Sequence, residues 1–213
     1  MTERRSKQIS SRKQPQQARS AELVSAILTA AIQVLAQEGA ARFTTARVAE
    51  RAGVSVGSLY QYFPNKAAIL FRLQSDEWRQ TTDMLSRILA DREKTPYERL
   101  RLLAQAFIRS ECEEAQMRVA LNDAAPLYRD APEAQAVKAT GKGIVQVFMC
   151  EALPDVPPFT RRLAGDLIVG TLGAVGKQFS ETPRTATEIA AYADAMADMF
   201  CAYLADLNAR AAP

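Results

Sequence analysis

The chain contains no histidine. That removes imidazole general acid–base catalysis, Ser-His-Asp and Cys-His nucleophile systems, and every metal site that needs a histidine ligand. Cysteine is sparse: Cys112, Cys150 and Cys201 lie far apart. An odd number without a CxxC pair argues against a disulfide framework or a zinc site and for a reducing, cytoplasmic compartment. No uninterrupted apolar run reaches the ~18 residues that span a bilayer. The basic N-terminus is not followed by an apolar stretch of the kind a secretory leader needs. No paired catalytic constellation emerges, so the expectation is a protein that is not an enzyme, with no metal, no cofactor and no membrane partner. No alternating β-branched segment is long enough for a strand, and no internal repeat is visible.

What is present fits a globular protein: 213 residues, 48% of them hydrophobic and 24% charged. A chain of this length buries roughly 70% of its unfolded surface and needs no staples. The net charge of +3 hides an asymmetry. Residues 1–66 hold ten Lys/Arg against four Asp/Glu, a net of +6, whereas residues 67–213 hold 17 against 20, a net of −3. A basic front prefers a polyanion, and a mildly acidic rear stays off it.

Residues 1–20 carry six Lys/Arg, four Gln and Pro15, with Ile9 as their one weakly apolar residue beyond Met1. They can bury no face and read as a disordered arm. Such an arm serves either as a solubilising tail or as a cationic strand that touches phosphate or a minor groove. Leu23, Ile27, Leu28, Ala31, Ile32 and Leu35 then recur at helical spacing, with Ser20 as N-cap and Gly39 as the stop. Short helices are expected from Thr45 to Ala52 and from Val56 to Phe63, the latter ended by Pro64. Asn65 caps a long helix from Lys66 to Ala90. Thr95-Pro96 opens another, in which Leu100, Leu103, Ala104, Phe107 and Ile108 share one face. Prolines punctuate further helices near 133–152, 159–180 and 185–209. The expected fold is all-α.

The informative stretch is Phe43 to Leu70, FTTARVAERAGVSVGSLYQYFPNKAAIL. Two short helices are joined by Ala52-Gly53-Val54, with Gly53 where a chain must turn sharply. Val48, Ala49, Ala52, Val54, Leu59 and Phe63 form an inward set, the build of a helix-turn-helix. The outward set is Gly57, Ser58, Gln61 and Tyr62, with Tyr60 at the flank. These groups are small or hydrogen-bonding, as an approach to base edges and phosphates requires. The second short helix has no carboxylate in its first turn, and the first places Arg47 in its own first turn, against its dipole. Both choices make sense if a DNA phosphate docks at these ends.

Residues 20–70 resemble the DNA-binding region of TetR/AcrR-type transcriptional repressors. The matching landmarks are Thr44, Val48-Ala49, Ala52-Gly53-Val54-Ser55, Gly57, Leu59-Tyr60, Phe63 and Lys66. One departure is Ala67, where many members have an acidic residue. Behind the disordered basic arm (1–20), the resemblance implies a three-helix DNA-binding domain (21–66) and a helical effector-binding and dimerisation domain (67–213). It gives Thr44 and Thr45 a phosphate, and Arg47 a phosphate or groove edge. Val56, Gly57, Ser58 and Gln61 would face the major groove, while Tyr60, Tyr62 and Lys66 would clamp phosphates. Gln61 suits a bidentate contact to adenine, or a phosphate contact, and Val56 a thymine methyl.

The resemblance also implies a homodimer held by the last two helices. Leu172, Val175, Tyr192, Met196, Met199, Phe200 and Tyr203 are the expected interface residues. Repeated glycine in the penultimate helix, at Gly165, Gly170, Gly173 and Gly176, suggests close backbone approach. A small-molecule pocket in the rear domain is implied as well, with Trp78, Leu103, Phe107, Met117, Leu121, Tyr128, Ile144, Val147 and Phe148 as candidates for an apolar or aromatic effector. Arg101, Arg109 and Glu111 could add polarity. Gly170 to Lys177 looks superficially like a phosphate loop, but its spacing and its Gln178 do not fit one. The function expected is a repressor bound to a palindromic operator in double-stranded DNA and released by effector. The alternative is a constitutive dimeric DNA-binding protein.

Overall fold

A computed structural model describes residues 18–128 and 143–211, and the regular structure among these is helical throughout. The expected arm up to residue 17 and the 133–142 part of an expected helix lie outside the described residues. The helices are α1 (Ala18–Arg42), α2 (Thr45–Arg51), α3 (Val56–Tyr62), α4 (Lys66–Ala90), α5 (Pro96–Glu113) and α6 (Ala115–Ala124). A 3-10 turn, Ala125–Leu127, follows α6. Then come α7, described over Gly143–Ala152, α8 (Pro158–Ser180) and α9 (Ala186–Ala211).

Local chemistry sets most of these boundaries. Gly39 breaks α1 with φ 71° and ψ 173°, as the stop signal implied. Ser20 does not cap α1, because the chain is already helical at Ala18. The α2–α3 turn is a Schellman motif: Gly53 N–H donates to the Glu50 carbonyl at 3.1 Å and Val54 N–H to the Ala49 carbonyl at 3.0 Å. Gly53 has φ 67°, which only glycine adopts cheaply. Asn65 Oδ1 accepts from Ala68 N–H at 2.9 Å and starts α4. Thr95 and Glu98 close a reciprocal capping box on α5, and Thr185 and Glu188 repeat it at α9.

The described chain forms two compact units. The first contains α1, α2, α3, α4 as far as Arg79, and residues 116–128. The second contains residues 80–115 and 143–211. The chain thus passes between units more than once, whereas the sequence reading places a single boundary after residue 66. In the first unit Ile27, Ala31, Val34 and Leu35 of α1 meet Phe43, Val48, Leu59, Phe63 and residues 67–71 in one core. Ile32, expected inside, is exposed. Residues Ser20–Arg42 include a window of mean hydropathy 1.4, long and apolar enough by composition to cross a membrane. The sequence offered no unbroken apolar run here; alanine raises the average, and the burial pattern is that of a core helix with Gln33 and Gln37 outside.

In the second unit α5 packs on both α8 and α9. Leu100, Leu103, Ala104 and Ile108 of α5 are buried, with Phe107 partly buried beside them, as the spacing predicts. Gly176 explains itself here: a Cβ would come 3.2 Å from Phe107 and 3.3 Å from Ile108 and Glu111. Gly165 is similarly crowded by Val145, Gln146 and Met149 of α7. Among the described residues nothing comes within 4 Å of a Cβ at Gly170 or Gly173, so close approach between described elements does not account for them.

Arg99 is the largest fully buried side chain, at 1% exposure. Its Nη1 donates to the Leu89 carbonyl at 2.7 Å and to Glu151 at 3.2 Å, and Nη2 pairs with the other Glu151 oxygen. Its guanidinium lies 5.5 Å from the Phe148 ring centroid, while Nε has no partner among the described residues. Glu151 is 41% exposed, so the pair is lopsided. Glu151→Ala strands a buried cation and is expected to cost roughly 3 kcal/mol in chemical denaturation at neutral pH. Arg99→Met leaves its partner carboxylate in water and is expected to cost less; equal losses would contradict this. The Arg99 hydrogen bond holds the Glu151 carboxyl below its usual range. The stabilisation is therefore complete above the ordinary glutamate range and is lost as pH falls through the depressed folded value.

Candidate nucleic-acid interface

The α2–α3 pair is built so that one face is spent on the core and the other is left free. Leu59 and Tyr62 stand three residues apart on the buried side of α3. Val56, Gly57, Tyr60 and Gln61 fall on the opposite arc and are all exposed. The expectation that Tyr62 faces outward is corrected: it is 5% exposed and belongs to the core of the first unit. Its spacing from Leu59 was the available signal. Ser58 is half-buried.

The hydroxyls at the helix ends are already engaged. Thr44 Oγ1 accepts from Arg47 N–H at 3.3 Å and caps α2. Ser55 Oγ accepts from Ser58 N–H at 3.0 Å and caps α3, and the two Ser hydroxyls lie 2.8 Å apart. Thr45 Oγ1 and the Tyr60 hydroxyl are 3.1 Å apart. That bond ties the first residue of α2 to the exposed face of α3 and fixes where the phenol points, and no local pattern marks it. Neither helix has an acidic residue in its first turn. Within their own first turns, the amide ends of α2 and α3 thus have no carboxylate of the same helix opposing their positive potential.

Arg47 is not the free cation the sequence suggested. Its Nη1 pairs with Glu38 and donates to the Arg42 carbonyl at 3.4 Å. Arg51 donates to Gln37 Oε1 at 2.9 Å. Lys66 is exposed at the start of α4. Among the described residues, a Cβ at Gly57 would meet only Ser55 Oγ, at an ordinary 3.7 Å, so no close approach there requires glycine. Glycine inside a helix costs up to about 1 kcal/mol relative to alanine, so the fold alone does not account for it.

Residues 27–73 match the model for bacterial regulatory proteins of the tetR family, and residues 95–207 match that for the tetracyclin repressor-like C-terminal domain. Together these cover most of the chain, and the second alone covers more than half. The chain belongs to the tetR family. It has the N-terminal helix-turn-helix and the helical C-terminal domain of that family of bacterial regulatory proteins. Among its relatives is the nucleoid occlusion factor SlmA of Vibrio vulnificus, 41% identical over 71 residues, which are 33% of this chain and 36% of SlmA. The chain thus spans only about a third of that relative's length. The HTH-type transcriptional repressor KstR of Rhodococcus jostii is 30% identical over 65% of this chain and 63% of KstR. The regulator FadR of Bacillus subtilis, solved in complex with stearoyl-CoA, shares the fold at a TM-score of 0.67 and 18% identity, over 83% of this chain and 97% of FadR.

The tetR-family assignment makes the placement of the rear-domain residues informative. Of the seven expected dimer residues, Leu172, Met196 and Phe200 fill the regulator's own second core. Val175, Tyr192 and Tyr203 pack against that core, and Tyr192 also stacks on Phe179 at 3.9 Å. Met199 is exposed. Apolar periodicity identified a buried face but not its partner, which here is largely α5. The exposed apolar residues of α8 are instead Phe159, Leu163, Leu167 and Val169.

The effector candidates divide between the two cores. Leu121 and Tyr128 are buried in the first, with Trp78 and Met117 packed against it. Leu103 and Phe148 are buried in the second, with Phe107 and Ile144 alongside. Val147 is 69% exposed. A polar network within the first core escaped the sequence reading altogether. The Tyr128 hydroxyl lies 2.9 Å from the Leu121 carbonyl and 3.2 Å from Gln74 Oε1. Gln74 donates to Glu77 at 2.8 Å, and Arg118 pairs with Glu77 at 3.0 Å. Burial, reinforced by the Glu77 charge, pushes the Tyr128 phenol above its ordinary range. Of the polar candidates, Arg101 pairs with Asp198, Arg109 is exposed and Glu111 is buried.

Proposed function

We propose that this regulator is a cytoplasmic homodimeric repressor that reads a palindromic operator with α3 and leaves it when a small molecule binds. The observation that carries the reading is the exposed α3 arc of Val56, Gly57, Tyr60 and Gln61, flanked by two helices with no acidic residue in their own first turns. Thr44, Thr45, Arg47, Tyr60 and Lys66 would hold phosphates, and Val56, Gly57, Ser58 and Gln61 would meet base edges. Tyr62 acts from within the core by supporting α3. Dimerisation uses the outward face of α8, where Leu163 and Leu167 are followed by the open Gly170 and Gly173, together with Met199 of α9. Two heads related by a two-fold axis would then meet half-sites in successive major grooves.

The effector would be apolar or aromatic, a reading supported by the candidate lining residues and by the stearoyl-CoA bound in FadR. Helix α4 has residues in both units, so a ligand with different affinities for two arrangements of that helix would change head spacing. A ligand shifts such an equilibrium only by its differential affinity. The near-complete burial of Leu103, Leu121, Tyr128 and Phe148 in packed cores favours a second reading, a constitutive dimeric DNA-binding protein. A thermal-shift screen of acyl and aromatic metabolites, followed by titration of each hit against the protein–DNA complex, separates the two. Release of DNA by a stabilising compound supports the switch; stabilising hits that leave DNA affinity unchanged support the constitutive reading.

A further inference from the structure

We infer that Glu38 is an internal competitor for DNA phosphate, holding Arg47 in the free head and yielding it to the duplex. The inference rests on the reading of α2 and α3 as the DNA-contacting surface. Glu38 is the residue before the break at Gly39, so its carboxylate sits at the negative end of the helical part of α1. Arg47 sits in the first turn of α2, at a positive end. Each charge is misplaced for its own helix, and their pairing cancels both placements.

The pair is weakly held. The Arg47 and Glu38 side chains are 43% and 26% exposed, and ion pairs open to solvent contribute little. A phosphate can therefore displace the carboxylate at little cost. The neighbouring tether supplies the comparison. Arg51 of α2 is held by Gln37, an uncharged acceptor one residue earlier in α1. If orienting an α2 arginine were the only task, an amide at position 38 would serve, as it does at 37. What the carboxylate adds is a negative charge that stands in for phosphate and must be released when DNA binds.

Glu38→Gln is expected to tighten binding by up to about fivefold, the gain from no longer breaking the ion pair. Fluorescence anisotropy with a labelled duplex selected from a random-sequence library by the wild-type protein reads the change, and a mixed-sequence duplex gives the non-specific baseline. The same substitution made on Arg47→Gln is expected to change affinity by less than about twofold. Tightening of equal size in both backgrounds would show a general charge effect and overturn the inference. Unchanged or weaker binding by Glu38→Gln would overturn it too, the latter making Glu38 a positioning residue. Glu38→Ala repeats the test if the amide perturbs the end of α1, with thermal melts confirming the fold. If the wild-type protein binds neither duplex, the DNA-contact reading itself fails and the inference falls with it.

Discussion

Replacing Leu163 and Leu167 together with glutamate is expected to convert the regulator from dimer to monomer and to weaken operator binding at least about a hundredfold. Both side chains are about half exposed in the single chain, so the substitution removes little internal packing. In a dimer built on the outward face of α8 it buries four carboxylates without partners, which no interface tolerates. The large loss of affinity follows from linkage: the second head binds as an intramolecular event, and coupling of that kind is worth 10²- to 10⁴-fold. Sedimentation gives the oligomeric state, and anisotropy with full-site and half-site duplexes gives the affinity. A double variant that stays dimeric would place the interface elsewhere. One that becomes monomeric yet binds the full site as before would remove the need for two heads.

Gly57→Leu is expected to separate folding from function. Gly57 is exposed, and a Cβ at this position meets no described atom nearer than Ser55 Oγ at 3.7 Å. Leucine is also the better helix former, so thermal stability should be unchanged or raised by up to about 1 kcal/mol. On DNA the same side chain would occupy the space between α3 and the groove. Loss of even one or two base contacts, at about 1–3 kcal/mol each, predicts a fall in specific affinity of tenfold to more than a hundredfold. Stability and binding should therefore move in opposite directions. A variant that melts higher and still binds as tightly as wild type would show that Gly57 does not approach DNA.

The head was legible because its signals are local. Gly53 demands a positive φ, Thr44 and Ser55 cap the next turn, and Leu59 and Phe63 repeat on one face. Each feature is decided within a few residues of sequence, and so are the start of α4 at Asn65 and that of α5 at Thr95. What the sequence hid depends on partners far along the chain. Nothing local says that the apolar face of α9 meets α5 rather than a second copy, or that Arg99 reaches Glu151. The break between α5 and α6 occurs at Glu114 without glycine or proline, so no punctuation marks it. Tyr62 is the instructive miss. Its hydroxyl suggested an outward role, but helical spacing from Leu59 already assigned it to the core.

The most direct test of the central claim is a competition assay with purified protein at physiological salt. A labelled genomic fragment recovered by the protein competes against unlabelled mixed-sequence duplex. If α3 reads base edges, the recovered fragment should be preferred by a factor of about 10³ or more, the usual margin between specific and non-specific sites. Affinity should also fall steeply as salt rises, through counterion release from the phosphates. Equal competition by both duplexes, from protein shown to be folded, would contradict the account.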